Sequence, residues 1–121
     1  MDVEAVRAAL AAVSAPWGER GEAVLDSGRS YRPGEPVTIE VRKRGRRYHL
    51  GDGGRATTLA GKPAGWLAAA ERVVAREGFN LNRAGVVFVP AVEGSCGDLG
   101  LLAARLAEAS HAVFAELVEL G

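Results

Sequence analysis

The chain is poor in the residues that do most enzymatic chemistry. It holds one cysteine, Cys96, and two histidines, His49 and His111, among 121 residues. One cysteine closes no internal disulfide, so packing must hold the fold, and a reducing cytoplasm is the expected compartment. Two histidines and a cysteine, widely spaced, supply no metal set, and no cofactor is expected. Aromatic residues make up only 6% of the chain, thin equipment for stacking nucleobases. Lys+Arg and Asp+Glu are 15 each, so any attraction for an anion must be local. No apolar run is long enough to span a bilayer, so no membrane role is expected. The opening "MDVEAVRAALAAV" is acidic at its start and lacks the basic region of a signal peptide.

Familiar catalytic and phosphate-binding loops are missing as well. Gly61-Lys62 is followed by Pro63, where a P-loop needs Ser or Thr to reach magnesium. "GSCGD" around Cys96 matches neither a nucleophile elbow nor a papain-like signature. His111 lies about four helical turns beyond Cys96, too far to be its base. Paired carboxylates do not stand out. The expectation is a chain that is not an enzyme, with Asp52 bonding the backbone of its own turn.

What the chain does have is clear periodicity. The 48% hydrophobic content suits one globular domain over residues 1–121. Val3, Val6, Leu10 and Val13 recur at helical steps behind Asp2, and Pro16 with Gly18 ends that first helix. A short strand is expected at Ala23 to Asp26, followed by a loop at "YRPGEP". In "VTIEVRK", Val37, Ile39 and Val41 alternate with Thr38, Glu40 and Arg42, the pattern of a half-buried strand. "RRYHL" alternates again after Gly45, with Tyr48 and Leu50 on one face, so the two make an antiparallel hairpin. Gly51 to Gly54 form the next turn.

Pro63 suits a helix start. Trp66, Leu67, Ala70, Val73 and Val74 give that helix an apolar side, and Gly78 closes it. "FNLNRAGVVFVPAV" reads as a second hairpin turning at Asn82 to Gly85. Ser95 and Asp98 resemble a capping box for a last helix reaching about Leu120. The architecture is therefore α+β: helix, three-stranded antiparallel segment, helix, two-stranded hairpin and long C-terminal helix, packed as a two-layer sandwich.

This order of elements resembles the fold of type III secretion chaperones. The middle segment, with Tyr48, Leu50, Asp52 and Gly53, also looks like small uncharacterised bacterial and phage domains. Those carry an aromatic-x-Leu-x-Asp-x-Gly turn; here Gly51-Asp52-Gly53-Gly54 takes its place. The resemblance implies a chaperone-like binding protein, and a shared fold transfers little function by itself.

Two surfaces are candidates for binding. Arg42, Lys43, Arg44, Arg46 and Arg47 crowd the first hairpin, and Arg29, Arg32 and Arg55 would join them if the fold brought them near. They would steer an acidic partner, with weak, nonspecific nucleic-acid binding as a side effect. The bland alternative is a solvated tip whose charges discourage edge pairing. On the last helix, Leu101, Phe114 and Val118 extend the apolar surface beyond the stripe of Leu99, Leu102, Leu106, Val113 and Leu117. With Trp17 they would form a partner surface or a homodimer seam. The function expected is a non-enzymatic protein-binding module, an adaptor or chaperone-like protein. The alternative is a nucleic-acid-associated accessory protein of a phage or defence system.

Overall fold

A computed structural model describes residues 4, 22–44, 47–93 and 96–121. The expected first helix, Trp17, Arg46 and Ser95 lie outside these residues. Five strands form one sheet: β1 (Glu22–Arg32), β2 (Glu35–Arg44), β3 (Arg47–Gly51), β4 (Asn80–Leu81) and β5 (Val87–Val92). The order across it is β1-β2-β3-β5-β4, with every neighbouring pair antiparallel. Three helices are described: α1 (Arg55–Ala60), α2 (Trp66–Glu77) and α3 (Cys96–Leu120). The α+β class is as expected.

Alternation decides which sheet face is covered. Leu25, Val37, Ile39, Val41, Leu50 and Val87 are buried beneath the helices. Their neighbours Val24, Glu40 and Arg42 are exposed. This is the ordinary economy of an antiparallel sheet, with one face in the core and the other solvated. Helix α3 is the spine of the helical layer. It packs against α1, α2, β1, β2 and β5, and buries Leu99, Leu106, Val113 and Leu117 to within 3% of full burial. Leu102 of the expected stripe is only half-buried.

Three local differences from the sequence reading have physical causes. Strand β1 runs on to Arg32, because Tyr31 turns inward and only Pro33-Gly34 is left to make the turn. An irregularity between Asp26 and Ser30 allows this: Gly28 adopts φ 78°, its amide donating to Asp26 Oδ1, while Ser27 Oγ donates to the Val37 carbonyl. Helix α1 was not foreseen; at six residues it is too short to show a period. Helix α2 starts at Trp66 rather than at Pro63, whose carbonyl instead accepts the Trp66 amide at 2.9 Å.

The apolar surface expected on α3 is corrected in the same way. Phe114 is 8% exposed and meets the Tyr31 ring edge-on at 5.4 Å between centroids, so it is core and not a docking residue. Leu101 and Val118 are exposed, at 65% and 53%. They stand about 25 Å apart along the helix and roughly 100° apart around it, so they share no patch. Phe114→Ala is therefore expected to cost about 3–5 kcal/mol in equilibrium denaturation. Leu101→Glu should stay within about 0.5 kcal/mol of wild type, and a larger loss there would mean that Leu101 is covered.

Candidate functional site

The β3–α1 turn is built around a buried carboxylate. Asp52 is 1% exposed. Its Oδ1 accepts hydrogen bonds from the amides of Gly54, at 2.8 Å, and Val87, at 3.0 Å, and its Oδ2 accepts from Ser110 Oγ at 2.7 Å. The Asp52 amide donates to the Val87 carbonyl at 2.9 Å. One residue thus joins its own turn, strand β5 and helix α3. Ser110 Oγ lies 2.6 Å from Tyr31 Oη. Since Ser110 spends its proton on the carboxylate, Tyr31 donates to Ser110, and the chain of hydroxyls runs one way. The expectation that Asp52 bonds its own turn holds, and the reach to Val87 and Ser110 adds to it.

This arrangement is suited to holding structure. The Gly54 amide is already bonded to Asp52, so it is not offered to a phosphate. Gly53 and Gly54 have φ of 70° and 78°, which explains glycine there by backbone geometry. Burial raises the Asp52 pKa above its ordinary 3.8, while the bonds from Ser110, Gly54 and Val87 pull it back down without cancelling the shift. Burial likewise pushes the Tyr31 hydroxyl up to about 12, keeping it a donor.

Linkage then fixes the sign of a pH effect. In the window between 3.8 and the higher folded value, the folded chain binds more protons at Asp52 than the unfolded chain. The group's contribution to stability is fullest below the unfolded value and falls as pH rises through the folded one. Asp52→Asn removes this titration, so its stability cost should be smaller at neutral pH than in acid. A cost that grows toward neutral pH would mean that the hydrogen bonds outweigh burial. Ser110→Ala, which strips a donor from Asp52 and an acceptor from Tyr31, should cost about 2 kcal/mol by urea denaturation.

The second feature is on the uncovered face. Among the described residues, no element packs over it. Register places one row across all five strands: Val24 pairs with Glu40, Glu40 with Gly51, Gly51 with Phe88, and Phe88 with Asn80. The next row toward the hairpin tip pairs Glu22 with Arg42 and Arg42 with His49, and the one beyond pairs Arg44 with Arg47. Glycine in the middle of the first row leaves a notch between Glu40 and Phe88. The notch belongs to a cleft of about 450 Å³ lined by Glu40, Arg42, His49, Phe88 and Asn82, among others. A Cβ on Gly51 would lie 3.5 Å from Phe88 Cβ and from Val86 Cγ1, so the missing side chain opens the cleft.

The predicted basic cluster is only partly assembled here. Arg42 and Arg47 are exposed, and alternation sets both on the uncovered face beside His49. Lys43 belongs to the other face, with its Nζ 5.7 Å from the centre of the Tyr48 ring. Arg29 and Arg55 do not join them. They sit toward the far end of β2, roughly 20 Å along the strand, where they pair with Glu108 and Glu35. His49 is on the sheet face opposite the layer that contains α3. Gly51, Glu40 and Phe88 were not foreseen as a site. Alternation assigns each to a face, but only the pairing register puts them in one row.

No family model, curated protein or solved structure matches this chain. The site must therefore be read from its own chemistry. Among the described residues no group of His, Cys, Asp and Glu is gathered as a metal set, and no helix is long and apolar enough to cross a membrane.

Proposed function

We propose that this protein is a non-enzymatic binding module, adaptor or chaperone-like, that takes an acidic protein segment on its uncovered sheet face. The observation that supports this reading is the pairing of Arg44 with Arg47 near the hairpin tip, next to a row in which Arg42 stands between Glu22 and His49 beside the Gly51 cleft. A charged face of this kind steers encounter and fixes orientation. Asp52, the buried acid, is taken up by three structural donors, which supports a binding role over acid–base catalysis.

Nucleic acid is the competing partner for the same cations. Glu40 weighs against it, because its carboxylate lines the cleft where a phosphate chain would pass. The cleft also holds one phenyl ring, Phe88, where single-strand binders use several aromatic side chains. Apolar contact with a protein segment survives salt better than phosphate contact does.

The test is titration with polyglutamate and with oligothymidylate at low and physiological salt. Arg42→Glu combined with Arg47→Glu should weaken polyglutamate binding by about tenfold or more while leaving the thermal midpoint nearly unchanged. Oligothymidylate should bind weakly and fade as salt rises. Tight nucleic-acid binding at physiological salt, abolished by the same reversal, would replace this reading with the nucleic-acid one.

A further inference from the structure

We infer that the uncovered sheet face binds the same face of a second copy of this chain, in a weak antiparallel dimer centred on β3. The inference goes beyond the proposed function, because it names an occupant for the face when no other partner is bound. The order of residues on β3 carries it. Running toward α1, the positions on the uncovered face are Arg47, His49 and Gly51; Gly53 follows just past the strand end, where it also lines the cleft. Two large side chains are thus followed by two positions with none. Among the described residues nothing packs over this face, and Val24 on its edge strand is 64% exposed.

Such an order is complementary to its own reverse. Sheets packed face to face lie about 10 Å apart and keep their strands within about 30° of each other. A two-fold axis running across the strands, between His49 and Gly51, lays β3 antiparallel over its copy. It sets His49 over the partner's Gly51 and Arg47 over the partner's Gly53, and the symmetry makes both contacts twice. The imidazole enters the notch between Glu40 and Phe88, where even a Cβ on Gly51 would be 3.5 Å from Phe88 Cβ and Val86 Cγ1. The Arg47 guanidinium meets a carboxylate there, because Glu40 leans toward the turn, its Oε1 only 3.1 Å from where a Cβ on Gly53 would stand. Arg is suited to hold that carboxylate bidentately. The contact needs nothing of Arg42, whose register neighbour on β1 is Glu22. Stacking the two copies parallel would instead bring Arg47 against Arg47. The face measures roughly 20 Å along the strands and roughly 20 Å across them. That is smaller than a permanent interface, so the dimer is weak and forms at high concentration.

Sedimentation velocity from about 1 μM to about 1 mM, at low salt, tests the dimer. The wild type should pass from monomer to dimer within that range. Gly51→Leu fills the notch and should weaken the dimer by about tenfold or more; a side chain at this position meets Phe88 and Val86 at ordinary contact distance, so the fold tolerates it. Arg47→Glu and Glu40→Arg each set like charges against each other at both symmetry-related contacts, so each variant alone should stay monomeric. Mixed in equal amounts, the two variants restore an opposite-charge pair at both contacts, and a dimer should return. Thermal midpoints near that of the wild type check that each variant is folded. A wild type that stays monomeric at the highest concentration overturns the inference. So does a dimer that persists unchanged in all three variants, since its interface then lies elsewhere. Failure of the mixed variants to associate, where the wild type does, overturns the antiparallel stacking. Polyglutamate binding is scored separately: its failure at low salt would sink the acidic-segment reading and leave the dimer standing.

Discussion

A buried carboxylate is tolerable only if its hydrogen-bonding capacity is filled, and the way Asp52 fills its own determines how the layers of this protein meet. Its acceptors are met by the turn that starts α1, by strand β5 and by the spine helix α3. Each donor comes from a different part of the chain, so none can shift without leaving a desolvated charge exposed to the core. Tyr31 extends the tie to β1 through Ser110, and its ring packs against Phe114 on the same helix. Apolar burial supplies the driving force for folding here, as in most small domains. The polar chain selects one docking of helix on sheet from the many that would bury the same area.

That docking has a consequence on the far side of the sheet. With Leu50 and Tyr48 committed to the helical layer, period two sends Arg47, His49 and Gly51 to the opposite face. The same reasoning sends Glu40 and Arg42 there from β2. Asp52 also holds β5 in place through its reciprocal bonds with Val87, which sets Phe88 opposite Gly51. The cleft is thus the reverse side of the structural network, and the polar core and the uncovered face are two readings of one register.

The edges of the sheet are treated differently from its face. Strand β4 is two residues long and offers little backbone for another chain to pair with. Strand β1 is long, but the irregularity around Gly28 interrupts its pairing line, and Arg29 beside it is tied to Glu108 on α3. Both features leave little regular backbone for strand addition at these edges.

Much of this fold is legible in the amino-acid sequence. Alternation in "VTIEVRK" and "RRYHL" assigns each side chain of the first hairpin to a face, and the turn residues Asn82 to Gly85 mark the second. Leu99, Leu106, Val113 and Leu117 mark the buried side of α3. These features are local, because backbone periodicity alone converts spacing into direction. Three things waited for the tertiary structure. Phe114 looks like surface until Tyr31 arrives from β1 to cover it. Asp52 and Ser110 are 58 residues apart, and no local pattern announces their bond. The row from Val24 through Glu40, Gly51 and Phe88 to Asn80 exists only once β5 is paired with β3. Periodicity fixes the face on which a residue lies, but its neighbours there depend on strand order and register, which long-range packing decides.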